Sequence, residues 1–162
     1  FFFKQKTAYE IVDCDWSSDV CSSDLARWPL GLAAGGQWVL EAQTDWVRGE
    51  RRDTGEPLPR LAPWRASLAL DGRQGAWGWR VEVQHAARQD RVADGDTPTP
   101  GWTQLHLRAT WADTLGGQPA LWFARLGNVG DTLARSASAI GTVRALSPLP
   151  GRSLSAGVRV AL

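Results

Sequence analysis

The chain has 162 residues, a formal charge of +1 and ten tryptophans. Its length suits one small domain. The charges are spread without any basic run or aromatic-basic cluster, which excludes the footprint of a nucleic-acid binder, and no run of eighteen apolar residues occurs, which excludes a transmembrane helix.

Residues 1–25, FFFKQKTAYEIVDCDWSSDVCSSDL, stand apart from the rest. Lys4 to Glu10 back-translate as AAG CAG AAG ACG GCA TAC GAG, with AT opening the codon of Ile11. That string resembles the flow-cell end of a short-read sequencing adapter. Asp15 to Asp24 back-translate as GAC TGG AGT TCA GAC GTG TGC TCT TCC GAT, with CT opening Leu25. This resembles the read-primer end of the same adapter, in the same order and frame. Val12, Asp13 and Cys14 fall where a sample index would sit, and Phe1 to Phe3 match a T-rich lead-in. The segment is therefore expected to be an adapter-derived artefact, disordered or non-native, and is set aside before fold reasoning. Cys14 and Cys21 go with it, so no disulfide or metal pair is read from them. Residues 26–162 keep sixteen Arg, no Lys and twelve Asp plus Glu, a formal charge of +4. They open at Ala26 with neither an initiator Met nor a signal peptide, and a gene product lacking its true N-terminus is expected.

From there on, period-two alternation recurs in stretches of about ten residues separated by Gly, Pro and Asp clusters, the signal of strands. From Gln37 to Glu50, Trp38, Leu40, Ala42, Thr44 and Trp46 share one face, against Gln37, Glu41, Gln43 and Asp45, with Val39 the exception. After the loop 51–63, Trp64, Ala66, Leu68 and Leu70 oppose Arg65, Ser67 and Asp71. A tight turn at 71–75 leads to Trp77, Trp79, Val81, Val83 and His85, opposed to Arg80, Glu82, Gln84 and Arg88. Beyond the polar loop 91–100, Leu105, Leu107, Ala109 and Trp111 oppose Gln104, His106, Arg108 and Thr110. A turn at 113–118 precedes Pro119 to Asn128, where Trp122, Ala124 and Leu126 oppose Arg125. That strand is ambiguous, because Leu121 and Phe123 share the face of Arg125. A long loop covers 130–151. In the last strand Leu154, Ala156, Val158, Val160 and Leu162 oppose Ser153, Ser155 and Arg159. The count is six strands.

Two all-β architectures show this alternation. A soluble sandwich buries its apolar face, and a transmembrane barrel turns it to lipid, with the polar face lining a lumen. Tryptophans near the strand ends, on the apolar face, favour the barrel. Trp38, Trp77, Trp79, Trp111 and Trp122 fall by the short turns, and Trp46, Trp64 and Trp102 by the long loops. Two such girdles suit indole rings at the two membrane-water interfaces. Leu, Val and Ala fill the band between them. The expected fold is thus all-β: an antiparallel transmembrane β-barrel fragment of about six strands, seen alone as an open curved sheet.

The stretches DTGEPLPRLAP (53–63), QDRVADGDTPTPGWTQLHLRATW (89–111), LWFARLGNVGDTLAR (121–135) and SPLPGRSLSAGVRVAL (147–162) together resemble the C-terminal end of TonB-dependent outer-membrane receptors. The third is similar to the family's penultimate strand, of the form LFLRxxNLxD, and the fourth to its last loop and closing strand. The resemblance spans 26–162. It implies the last strands of a twenty-two-stranded barrel in the outer membrane of a Gram-negative cell, with 71–75 and 113–118 as periplasmic turns. The loops 51–63, 91–100 and 130–151 would be extracellular. It further implies import of a scarce nutrient, such as a ferric siderophore or another metal complex. Loops would capture the ligand, and the TonB complex would act through an N-terminal plug that this sequence lacks. Leu154, Ala156, Val158, Val160 and Leu162 fit the outer-membrane signal read by the barrel assembly machinery, although the family usually ends in Phe and this chain in Leu. Other readings are a different porin or adhesin barrel, or a soluble Trp-rich sandwich that binds carbohydrate.

No catalytic, cofactor or metal constellation stands out, and no enzyme is expected. Ser136, Ser138 and Ser153 have no evident base. His85 and His106 lie on opposite faces by parity, and each reads as an isolated strand histidine. Arg80, Glu82, Arg88, Arg108 and Arg159 are candidate lumen-facing residues that line a substrate path or simply hydrate and brace the interior. Asp90, Asp94 and Asp96 could touch a cation, and Asp-Gly turn chemistry explains them as well. Six strands cannot close such a barrel. The fragment alone, with unpaired edges, is therefore expected to aggregate or fail to insert.

Overall fold

Alternating residues need neighbouring strands to satisfy their backbones, and two-residue turns supply those neighbours in sequence order. The computed structural model describes residues 4, 5, 17–33 and 35–161. Its strands are β1 (Lys4–Gln5), β2 (Ser17–Ala33), β3 (Gly36–Arg51), β4 (Arg65–Gln74), β5 (Trp77–Ala86), β6 (Trp102–Leu115), β7 (Gln118–Gly127) and β8 (Ser153–Val160). All eight lie in one antiparallel sheet in the order β1 to β8, each beside its sequence neighbour. A sandwich would need a second sheet, and none exists among the described residues.

The face assignments follow from the register. Leu40, Leu70, Val81, Leu107, Leu126 and Leu154 form one row across the sheet, linked pair by pair from β3 to β8. One step away on the opposite face, Glu41 stands opposite Ala69 and Asp71 opposite Arg80. The apolar face has no cover. The buried hydrophobic residues among those described are five alanines, whereas Leu68, Val83, Trp77 and Val158 are exposed and Leu154 is 76% exposed. A soluble domain places such residues inside. Here the core that the sequence encodes is one face of a sheet.

Two turns are tighter than expected. The strands run through Asp71–Gln74, and only Gly75–Ala76 forms the β4–β5 turn. Gly75 takes φ +56° while Ala76 stays out of the left-handed region, which suits a II′ hairpin. Gly116 and Gly117, at φ +60° and +80°, make the I′ counterpart between β6 and β7. The expected turn at Gly72 fails because its missing side chain serves the sheet. A Cβ there would stand 2.2 Å from the Trp79 ring, so glycine seats the indole across the strand pair.

Two elements exceed the expectation of six strands in 26–162. Residues 17–25 are not without order: together with 26–33 they form β2, paired with β3 from Ser17↔Arg51 to Ala33↔Gly36. Backbone pairing accepts almost any side chain. The 26–33 half escaped reading because the register shifts between Pro29 and Gly31, and such a bulge breaks the period of two. The loop after β7 also contains a single helical turn, α1 (Gly141–Arg144).

Candidate functional site

The polar face carries a connected set of charges centred on Arg80. Its guanidinium donates to Glu41 Oε1 at 2.8 Å, Asp71 Oδ2 at 2.7 Å and Glu82 Oε2 at 2.9 Å. Glu41 in turn holds Arg27 at 3.1 Å, and Gln84 donates to Glu82 at 2.6 Å. The network thus spans four strands, β2 to β5. A planar five-donor head can bridge three carboxylates in this way, and an ammonium would do so less well.

Of the five candidate lumen residues, the structure brings Arg80 and Glu82 together. Arg108 stands directly opposite Arg80 in the register, and Arg125 directly opposite Arg108. Like charges in register repel. The Arg80 charge is offset by its three carboxylates, and Arg125 lies 5.8 Å from the Phe123 ring centroid. Arg159 lies apart, near the short-turn end of β8 opposite Leu121. Arg88 is not on the sheet. β5 ends at Ala86, and Arg88 pairs with Asp90 on the exposed connection that follows. A cavity of about 450 Å³ opens on the polar face, lined by Arg80, Glu82, His106, Arg108, Arg125 and Ser155.

The histidines lie on opposite faces, as parity requires. His106 is opposite Glu82, and its Nδ1 accepts the Asn128 N–H at 3.3 Å. His85, on the apolar face, meets Thr103 at 2.8 Å. No group of three or more His, Cys, Asp or Glu is placed to hold a metal ion among the described residues. Leu154, Ala156, Val158 and Val160 share the apolar face of β8, in register with Leu126, Ala124, Trp122 and Ala120. Leu162 lies outside the described residues.

One girdle residue is misassigned by the sequence reading. Trp38 and Trp79 meet edge to face at 4.6 Å, and Trp77 stacks with Trp111 at 5.8 Å, which builds the rim by the short turns. At the other rim, Trp64 donates to Thr44 at 2.8 Å. Trp102 has the parity of Gln104, not of Leu105, so it stands on the polar face and donates its indole N–H to Arg135 O at 3.3 Å.

Two buried polar side chains that the sequence reading did not single out organise the loops at that end. Asn128, fully buried at φ +47°, accepts the Thr132 N–H and donates to Thr132 O and Pro150 O. It closes the start of the last loop onto its end. Arg144, 5% exposed, donates to Thr97 O, Ala137 O and Ala139 O and pairs with Asp96 at 3.1 Å. The Thr97 N–H and the Arg144 guanidinium hold the Asp96 carboxyl below the usual aspartate range. Asp96 is therefore a loop anchor. An Asn-x-x-Asp spacing was visible at 128–131, but nothing local marked Arg144 among sixteen arginines.

Among known families, residues 13–130 match the one described as "TonB dependent receptor-like, beta-barrel". Among solved structures, the chain is similar to "Copper transporter OprC", with a TM-score of 0.74 and 18% identity. That likeness, which shows a shared fold, covers 88% of this chain and 23% of the transporter, so the chain spans about a quarter of that protein's length. No curated protein matches in sequence. Because the family match extends over well more than half of the sequence, the chain belongs to the TonB-dependent receptor-like β-barrel family, a family of outer-membrane receptors and not of enzymes.

Proposed function

We propose that residues 26–162 are the closing strands of an outer-membrane receptor that imports a scarce nutrient, such as a ferric siderophore or another metal complex, with energy from the TonB complex. The observation that carries this reading is the uncovered apolar face, bounded at both ends by tryptophans. In water such a band drives association, and in lipid it is the solvent-matched surface. The neighbouring fold belongs to a protein named as a copper transporter, which favours a metal-containing cargo over a general porin role. Leu154, Ala156, Val158, Val160 and Leu162 would serve the assembly machinery, and Arg80, Glu82, Arg108 and Arg159 would face the lumen. Arg88 would stand at the extracellular mouth.

Fractionation of the intact gene product tests the membrane assignment. Recovery with outer membranes is expected, and recovery in the soluble fraction without detergent would sink it. Deleting the gene and measuring growth on chelated iron, copper or zinc tests the import. Unimpaired growth on all three would favour a porin or adhesin.

We also propose that residues 1–25 are no part of the receptor, although the family match begins inside this segment, at residue 13. β2 supports this by changing its face pattern at one point. Ala26 and Trp28 lie on the apolar face and Arg27 on the polar face, as in the other strands. Just before them the pattern breaks over 22–25: Ser22 and Asp24 fall on the apolar face, hydrogen-bonded to each other at 3.1 Å, and Leu25 on the polar face, while Val20 returns to the apolar face. Resequencing the locus should give apolar residues at the positions now held by Ser22 and Asp24. Finding SSDVCSSDL in the genome would overturn the proposal.

A further inference from the structure

The strongest unassigned feature is a cavity of about 400 Å³ between the polar face, at its long-loop end, and the final loop. Thr99, Trp102, Arg135 and Ser136 line it, together with the ion pair of Asp45 and Arg65. In that pair Arg65 Nη2 and Nε both donate to Asp45 Oδ2, at 2.7 and 2.8 Å, and the pair contributes no net charge. Arg135 does. Among the described arginines it alone is withdrawn from full exposure without a carboxylate partner, and its Nε is buried with no protein acceptor. The Thr99 hydroxyl, on a residue 3% exposed, has no protein partner either. A guanidinium Nε and a hydroxyl held out of water call for acceptor oxygens, and the charge of the guanidinium calls for a negative one.

The surroundings keep these donors in place. Arg135 O accepts the Trp102 indole N–H, Ala134 O accepts the Leu149 N–H at 2.9 Å, and Ala137 O accepts from Arg144 at 3.2 Å. Residues 134–137 are thereby pinned at three of their four carbonyls, which limits the ordering required on binding. The geometry points to an oxyanion site: the cavity takes a carboxylate or phosphate group of a small ligand, with Arg135 as its charge partner and the Thr99 and Ser136 hydroxyls as further donors. This deepens the receptor reading and rests on it for biological meaning, though the binding itself can be measured without it.

The test is calorimetric titration of the intact receptor, folded in detergent, with inorganic phosphate and separately with succinate. Folding is checked by heat-modifiable migration on a gel. Saturable binding of at least one anion is expected, weakened about tenfold or more by Arg135→Gln and unchanged by Arg60→Gln, since Arg60 is exposed and lies outside this cavity. The anion that binds identifies the group. If Arg135→Gln does not fold, Arg135→Lys decides, because it keeps the charge and loses the planar fork: weaker binding supports the site, and unaltered binding overturns it. Absence of saturable binding to the folded wild-type receptor overturns it as well. A receptor that binds anion but fractionates as soluble refutes the membrane reading and leaves the site standing.

Discussion

The two ends of the sheet are built by different physics. At one end, Gly75–Ala76 and Gly116–Gly117 reverse the chain in two residues, with Gly75, Gly116 and Gly117 at positive φ, which glycine adopts without strain. At the other end, the loops after β3, β5 and β7 are long and are held by contacts between them. Gln89 reaches Leu61 O at 2.9 Å, Arg91 reaches Glu50 at 2.8 Å, and Arg144 joins the loop after β7 to the loop after β5. Strand pairing is propagated by local turns, whereas the loop end depends on a few buried polar groups. The first is robust to any one side chain. The second concentrates its stability in two residues.

The largest effect should come from Arg144→Ala. It deletes a buried guanidinium with four partner residues and leaves Asp96 without its cation, a loss of about 3–5 kcal/mol confined to the loop end. Amide exchange or limited proteolysis of the intact receptor should show residues 134–149 opening while β4 to β7 stay protected. Uniform loss of protection in the strands would break the distinction between the ends. Asn128→Ala removes three hydrogen bonds and places alanine at positive φ. We expect about 2–3 kcal/mol, seen as greater exchange between 128 and 152. At the turn end, Gly117→Val forces a branched residue to φ +80° and should lower stability by about 1–2 kcal/mol. Its effect should appear as slower assembly of the β6–β7 hairpin, with the loops unaffected once folded.

Acidification gives the smallest effect and sharpens the same contrast. The Asp96 pKa is depressed in the folded loop below its ordinary 3.8, so its contribution is fully present above that value. It is lost as the pH falls through the folded value, when protonation weakens the pair with Arg144. Proteolysis of the last loop should therefore rise only below about pH 4. Arg144→Ala should abolish that dependence; an unchanged acid response in the variant would assign it to another group.

Much of the fold was legible because the signal is local. Period-two alternation names the faces, and the polar-face positions of Arg80, Glu82 and Arg108 follow from parity alone. Where parity was not applied to the first residue of β6, the reading failed: Trp102 was placed on the apolar face by its nearness to a strand end. Arg88 was carried past the end of β5 by extending a pattern into a connection. β2 was missed where Pro29 and Gly31 interrupt the alternation, and because its first half had been set aside. The helical turn at 141–144 is too short to show a period.

What the sequence determined by itself is the two-sided sheet: which residues share the apolar face, which share the polar face, and where glycine allows the chain to turn. Those are consequences of strand geometry, which repeats every two residues and needs no distant partner. Tertiary structure alone decided which charges meet. Glu41 and Arg80 are 39 positions apart and Thr97 and Arg144 are 47 apart, and only register and loop closure bring them within bonding distance. The same holds for Arg135, whose lack of a carboxylate partner is a property of the assembled cavity and cannot be read from its neighbours in the chain.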